Sequence, residues 1–133
     1  MYDYGTAKIT ATHDATYLGS DAGYELHLDR PELVRIEMVL PSLADAEAFV
    51  AKFPKSLGFK AGTLYGSDNQ NHGFVSLSAR LAKDGVRGEK NETGIKRYRR
   101  AMTLLQKADV PTTWGGERTV NAYRSREIFE ANI

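Results

Sequence analysis

The chain contains no cysteine, so neither a disulfide framework nor a thiolate metal site can form. Its opening residues lack a basic segment followed by an apolar run, and nowhere do eighteen apolar residues stand together. The sequence therefore predicts neither a signal peptide nor a membrane span. A cysteine-free chain without these segments suits the reducing cytoplasm, where we expect the protein to act.

Patterns that carry catalytic chemistry are also missing. The three histidines do not show the paired or clustered spacing of a zinc site. Five residues separate Gly88 from Gly94 and isoleucine follows, whereas a phosphate loop needs four residues and then Gly-Lys-Ser/Thr. Neither a nucleophile elbow nor a paired-carboxylate signature is present. We predict no metal and no cofactor, and we favour a non-enzymatic protein.

The composition is that of a globular protein, but its charge is unevenly distributed. With 133 residues, 41% of them hydrophobic and 26% charged, the chain is expected to form a single domain over residues 1–133. Residues 1–50 hold three basic and nine acidic side chains, and residues 51–133 hold fifteen basic and eight acidic ones. This asymmetry fits either a surface with a basic side for a polyanion or two halves that neutralise each other.

Six segments with strand or helix periodicity follow one another from residue 33 onward. Alternation at period two predicts strands, and apolar residues at helical spacing predict helices. In chain order they are a strand at 33–40, a helix at 43–53, strands at 59–66 and 73–82, a helix at about 92–108 and a strand at 117–124.

This order predicts an α+β protein with the ferredoxin-like split βαββαβ arrangement, an antiparallel sheet with two helices on one face. The predicted core spans residues 33–124. Residues 1–30 contain two alternating stretches, "AKITATH" and "YELHLD", which we expect to add strands at an edge of the sheet. Residues 125–133 are expected to form a turn or a short helix.

Residues 83–107 form a basic segment with eight basic and three acidic side chains. On a helical wheel its apolar residues fall on one stripe, which predicts that Tyr98 belongs to the core and that the cations lie away from it. The stripe consists of Ile95, Tyr98, Ala101, Met102, Leu105 and Ala108.

Three interpretations of these cations remain open. They form the solvated face of an amphipathic helix, since Lys and Arg are good helix formers; they pair with the acidic N-terminal half; or they bind an anion. We favour anion binding, because no acidic partner stands between Gly94 and Ala108 to relieve the repulsion. Positive charge near a helix N-terminus is also unfavourable without an anion.

The predicted function is binding of nucleic acid, either RNA or DNA, through phosphate contacts from the basic loop and helix at 83–107. The predicted contacts are Arg87, Lys90, Lys96, Arg97, Arg99 and Arg100. The alternative is a protein–protein interaction module, an inhibitor or assembly subunit, whose basic helix docks on an acidic protein or on a second copy. A third interpretation is a small enzyme of the α+β-barrel type with a polar pocket between sheet and helices.

The helix-free face of the predicted sheet is a second candidate surface, with His72, Phe74 and Arg80 as its candidate contacts. Gly73, Phe74 and Val75 weakly resemble part of the third-strand octapeptide of RNA-recognition motifs, but Arg35 stands where that family carries a stacking aromatic. The match is therefore not specific. We expect His72 to lie in a polar turn.

Overall fold

The computed structural model describes residues 3–12, 32–82, 90–115, 122–123, 126–131 and 133. They form strands, helices and a short 3-10 helix. In chain order these are β1 (Ala7–Thr12), β2 (Leu33–Leu40), α1 (Leu43–Val50), the 3-10 helix (Lys55–Leu57), β3 (Lys60–Tyr65), β4 (Asn71–Arg80), α2 (Glu92–Lys107), β5 (Thr112–Trp114), β6 (Ala122–Tyr123) and α3 (Arg126–Ala131).

The strands form one mixed sheet in the order β3-β4-β2-β1-β5, with β6 also paired to β1. Only the β1–β5 pair is parallel among these pairings. The α+β class is confirmed. The ferredoxin-like strand order is wrong, because β1 lies between β2 and β5, inside the sheet, whereas the sequence predicts the N-terminal strands at an edge.

The composition of β1 explains how it fits inside the sheet. Ala7, Ile9 and Ala11 are fully buried, so one side of the strand is apolar and two of these three side chains are short. On the other side, Lys8 stands directly opposite Glu37 of β2, a cross-strand pair of opposite charge. Pairing on both edges also satisfies the backbone groups of β1.

Most of the other predicted elements are confirmed with small shifts. Strand β2 matches its prediction, the hairpin forms with β3 and β4, and α2 ends one residue earlier than expected, whereas α1 ends at Val50 and not at 53. For residues 125–133 the sequence predicts a turn or a short helix, and the structure has helix α3 there, Arg126–Ala131. Of the predicted strand at 117–124, only Ala122 and Tyr123 are described; the predicted strand at 24–29 and residues 83–89 of the predicted loop lie outside the described residues.

Helices α1 and α2 pack on the same face of the sheet. The buried residues alternate along β2 and, from Gly73 onward, along β4, and the hydrophobic ones form a single apolar cluster with the buried residues of α1 and α2. The intervening residues of β1, β2 and β4 lie on the other face, which carries none of the described helices and which we call the open face. No helix in the described ranges is long and apolar enough to span a membrane.

Two glycines allow the helices to approach β4 closely. A side chain at Gly73 would overlap the carbonyl oxygen of Ser42, directly before α1, and one at Gly94 in α2 would overlap the carbonyl oxygen of Arg80. The N-terminus of α2 therefore rests on the end of β4, which fixes which side of α2 faces solvent.

Candidate nucleic-acid interface

Helix α2 carries its own N-terminal signals. The side chain of Asn91 accepts a hydrogen bond from the amide of Gly94 at 3.2 Å, and Glu92 and Lys107 lie in the first and last turns, where their charges suit the helix dipole. The cap satisfies one of the free amides at the helix N-terminus, and the candidate contacts on this helix are its cationic side chains.

The inner side of α2 confirms the predicted stripe except at Ala108, which follows the end of the helix and is exposed. Tyr98 is fully buried; its hydroxyl donates to Glu130 Oε1 at 2.9 Å, and its ring packs edge-on against Phe129 of α3. Burial, together with the nearby charge of Glu130, raises the pKa of Tyr98 well above its usual range. Tyr98 is a core residue, as predicted.

Arg97 makes hydrogen bonds that hold the fold together. Its guanidinium donates to the carbonyl oxygens of Leu57 and Ser78, both at 2.8 Å. Strand β3 pairs with β4 only as far as Ser76, so the carbonyl of Ser78 lies beyond that pairing and Arg97 satisfies it. Gly58 has a left-handed backbone, and a side chain there would lie 2.8 Å from Arg97 Nη1. Arg97 thus ties α2 to β4 and the 3-10 helix.

The remaining cations of α2 face solvent. Four side chains are exposed, and none has a hydrogen-bond or ion-pair partner within the residues that the structure describes. We call this set the outer face of α2, and it consists of Lys96, Arg99, Arg100 and Lys107. It extends over roughly 16 Å of helix axis at 1.5 Å per residue. Glu92 is the only acidic residue in α2.

The loop before α2 contributes one described cation. Lys90 is exposed and forms an isolated bridge with Ala82 immediately before the helix cap. Arg87, the other predicted contact in this loop, lies outside the described residues. Of the two predicted loop contacts, the structure therefore describes Lys90, which lies next to the outer face of α2.

The open face of the sheet lies on the opposite side of the molecule from α2. Phe74 is half-buried and Arg80 is exposed with interactions of its own, so neither joins the outer face of α2. A shallow depression of about 160 Å³ lies here, smaller than the usual pocket for a small-molecule ligand. It is lined by Arg35, Glu37, Phe74, Ser76, Leu77 and Ser78.

His72 lies in β4 and not in the turn, so that expectation was wrong. It is 3% exposed. Its Nε2 lies 2.9 and 3.0 Å from the carboxylate oxygens of Asp68, and its Nδ1 lies 3.0 Å from the hydroxyl of Tyr4. The carboxylate only accepts, so Nε2 donates to it. The hydrogen bond with His72 lowers the pKa of Asp68. A ring enclosed in this way offers no face to a nucleobase.

The contacts of His72 with Tyr4 and Asp68 were not predicted from the sequence. Asp68 precedes His72 by four residues across a predicted turn, which is a weak signal that the two side chains meet in the hairpin. Tyr4 stands 68 residues away from His72, and nothing in the local sequence indicates the contact.

Within the described ranges, no group of three or more His, Asp or Glu side chains is placed to hold a metal ion. No protein-family model matches the chain, and neither a curated protein nor a solved structure matches it. The function of this chain is therefore inferred from its own geometry and charge.

Proposed function

We propose that the protein binds nucleic acid through the outer face of α2, with Lys96, Arg99 and Arg100 contacting backbone phosphates. The observation that carries this proposal is the division of the cations. Arg97 donates hydrogen bonds within the fold, whereas the exposed cations of α2 have no partner among the described residues.

Electrostatics favour this use of the outer face. Lys96 and Arg100 stand four residues apart, so they repel each other on the helix surface. Phosphates relieve this repulsion, and the release of their condensed counterions supplies affinity. Lys90, and Arg87 in the preceding loop, add to the positive charge. Arg97 supports the site by holding the helix in place.

The chemistry of the face suits backbone recognition. Phosphate contacts position a protein on nucleic acid but carry no sequence information, so we expect weak discrimination among sequences. Binding of this kind needs no cofactor and no catalytic step. The cysteine-free chain suits the reducing cytoplasm, where we place this activity.

Charge-removal variants test the proposal. Fluorescence anisotropy with a labelled oligonucleotide at low salt compares the wild type with the triple variant Lys96→Gln, Arg99→Gln, Arg100→Gln. We expect the triple variant to bind about 10- to 100-fold more weakly, because three phosphate contacts are lost.

A matched control removes the same number of charges from the open face, as Lys8→Gln, Arg35→Gln, Arg80→Gln. We expect this variant to bind within about threefold of the wild type, since these cations lie on the other side of the sheet. A larger loss of affinity in the control than in the α2 variant would indicate that the binding site lies on the open face. Equal displacement of the oligonucleotide by polyglutamate of the same charge would favour an acidic protein partner.

A further inference from the structure

Among the described strands, β3 forms one edge of the sheet and pairs with β4 alone. It is six residues long, whereas β5 at the other end of the strand order has three. None of the described residues pairs with its outer side. An edge strand of this length presents a row of backbone groups on which another strand can pair.

The hairpin register shows which backbone groups point outward. The amide of Gly66 donates to the carbonyl of Gln70 at 2.8 Å, so these two residues form a hydrogen-bonded pair. Bonded and non-bonded pairs alternate along an antiparallel ladder. The amides and carbonyls of Ala61, Thr63 and Tyr65 therefore point away from β4.

The side chains beside this edge are exposed and partly apolar. Tyr65 is 66% exposed and Leu43, the first residue of α1, is 40% exposed. The chain before α1 lies against Gly73, which pairs with Thr63 in the middle of β3. Tyr65, the last residue of β3, thus adds a large exposed hydrophobic side chain to the free edge.

We propose that two copies of the chain associate through β3, in antiparallel pairing about a two-fold axis at Thr63, so that their sheets become continuous. Thr63 then faces Thr63 of the second copy, and Ala61 faces Tyr65, a small residue opposite a large one. This register uses all three outward-facing residues and forms about six hydrogen bonds, whereas an axis at Gly62 forms about four.

The charges at the two ends of β3 favour this self-pairing. Lys60 begins the strand, and Asp68, which is 41% exposed, lies in the turn that follows it. Antiparallel pairing brings each Lys60 to the end at which Asp68 of the second copy lies. The two Lys60 residues stay roughly 20 Å apart, since six residues at about 3.4 Å separate them. The edge is therefore complementary in charge to a second copy of itself.

Light scattering on the purified full chain tests the association. We expect a mass of twice the 14.8 kDa of one chain at micromolar concentration. Thr63→Lys places two ammonium groups beside the axis and should give monomers; Thr63 is exposed, so the fold is expected to persist, which circular dichroism checks. Thr112→Lys, an exposed position on β5, should stay dimeric. A monomeric wild type, or dissociation by Thr112→Lys alone, would overturn the proposal.

Disulfide trapping tests the register, because the chain has no native cysteine. Facing residues of a hydrogen-bonded pair lie about 5.5 Å apart between Cα atoms, within disulfide range. Oxidised Thr63→Cys should form a covalent dimer, while Ala61→Cys should not, since its two copies lie roughly 14 Å apart. Equal cross-linking of both variants, or of neither, contradicts the register. The association is independent of nucleic-acid binding, since a Thr63→Lys monomer keeps the outer face of α2.

Discussion

The two sides of α2 differ in what their polar groups do, although the residues are neighbours in sequence. On the side that faces the protein, Tyr98 donates to Glu130, and Arg97 donates to two backbone carbonyl oxygens. On the outer side, Lys96, Arg99 and Arg100 are exposed and have no partner in the described part of the chain. Charge in the sequence therefore does not separate residues that hold the fold from residues available to a ligand. Burial and hydrogen-bond partners do.

The largest loss of stability is expected from the inner side, for Tyr98→Ala. The change removes a fully buried ring from Phe129 and leaves the carboxylate of Glu130 without its hydroxyl donor. We expect the free energy of unfolding to fall by about 3–5 kcal/mol, measured by urea denaturation. Tyr98→Phe, which keeps the ring, should cost about 1 kcal/mol. A similar small loss for Tyr98→Ala would show that the inner side is not packed as described.

A smaller loss is expected for Arg97→Gln, which removes the bonds to the carbonyls of Leu57 and Ser78. Because part of this contact is open to water, we expect a loss of about 1–2 kcal/mol. Arg100→Gln is the matched control on the outer side and should change stability by no more than about 0.5 kcal/mol. Equal effects of the two substitutions would remove the distinction between the two sides.

The contact of Asp68 with His72 extends the comparison to pH. The pKa of Asp68 is lowered in the folded protein, first by its hydrogen bond with His72. The stability it contributes is present above the pKa of an unfolded aspartate, about 3.9, and is lost as the pH falls through the lower folded value. Asp68→Asn should weaken the loss of stability in acid, followed by thermal melting between about pH 6 and 2. Glu47→Gln, an exposed change on α1, should melt like the wild type across this range.

The smallest effect on stability is expected for the triple variant Lys96→Gln, Arg99→Gln, Arg100→Gln. The outer face makes no hydrogen bond or ion pair within the described residues, and removing the repulsion between Lys96 and Arg100 offsets any lost helix propensity. The free energy of unfolding should stay within about 0.5 kcal/mol of the wild type. A large loss would assign these cations to the fold, and not to a ligand.

Periodicity in the sequence was sufficient to predict the position of helices and strands that bury one continuous face. The alternation in β2 and the stripe around Tyr98 each follow from a single apolar side, so their positions could be predicted. The position of β1 in the sheet could not be predicted, because alternation indicates a strand but not the strands with which it pairs. Strand β1 pairs with strands that are far away in the sequence. Strand β5 has three residues, too few to show a period.

The candidate site was predictable in part. The helical wheel predicted that Lys96 and Arg100 lie on the solvent side of α2, and this is confirmed. It could not show that Arg97 reaches Ser78, because that contact depends on where β3 ends and on the close approach at Gly58. The enclosure of His72 depends on Tyr4, which no local pattern connects to it.

The salt dependence of nucleic-acid binding tests the central claim most directly. The logarithm of the association constant is measured against the logarithm of the salt concentration for the wild type and for the triple variant of the outer face. Three phosphate contacts contribute about −2 to −3 to the wild-type slope, so we expect the slope of the triple variant, which keeps Lys90 and Arg87, to be less steep by about that amount. A wild type that does not bind, or two proteins with the same slope, would contradict the assignment of the outer face of α2 to nucleic acid.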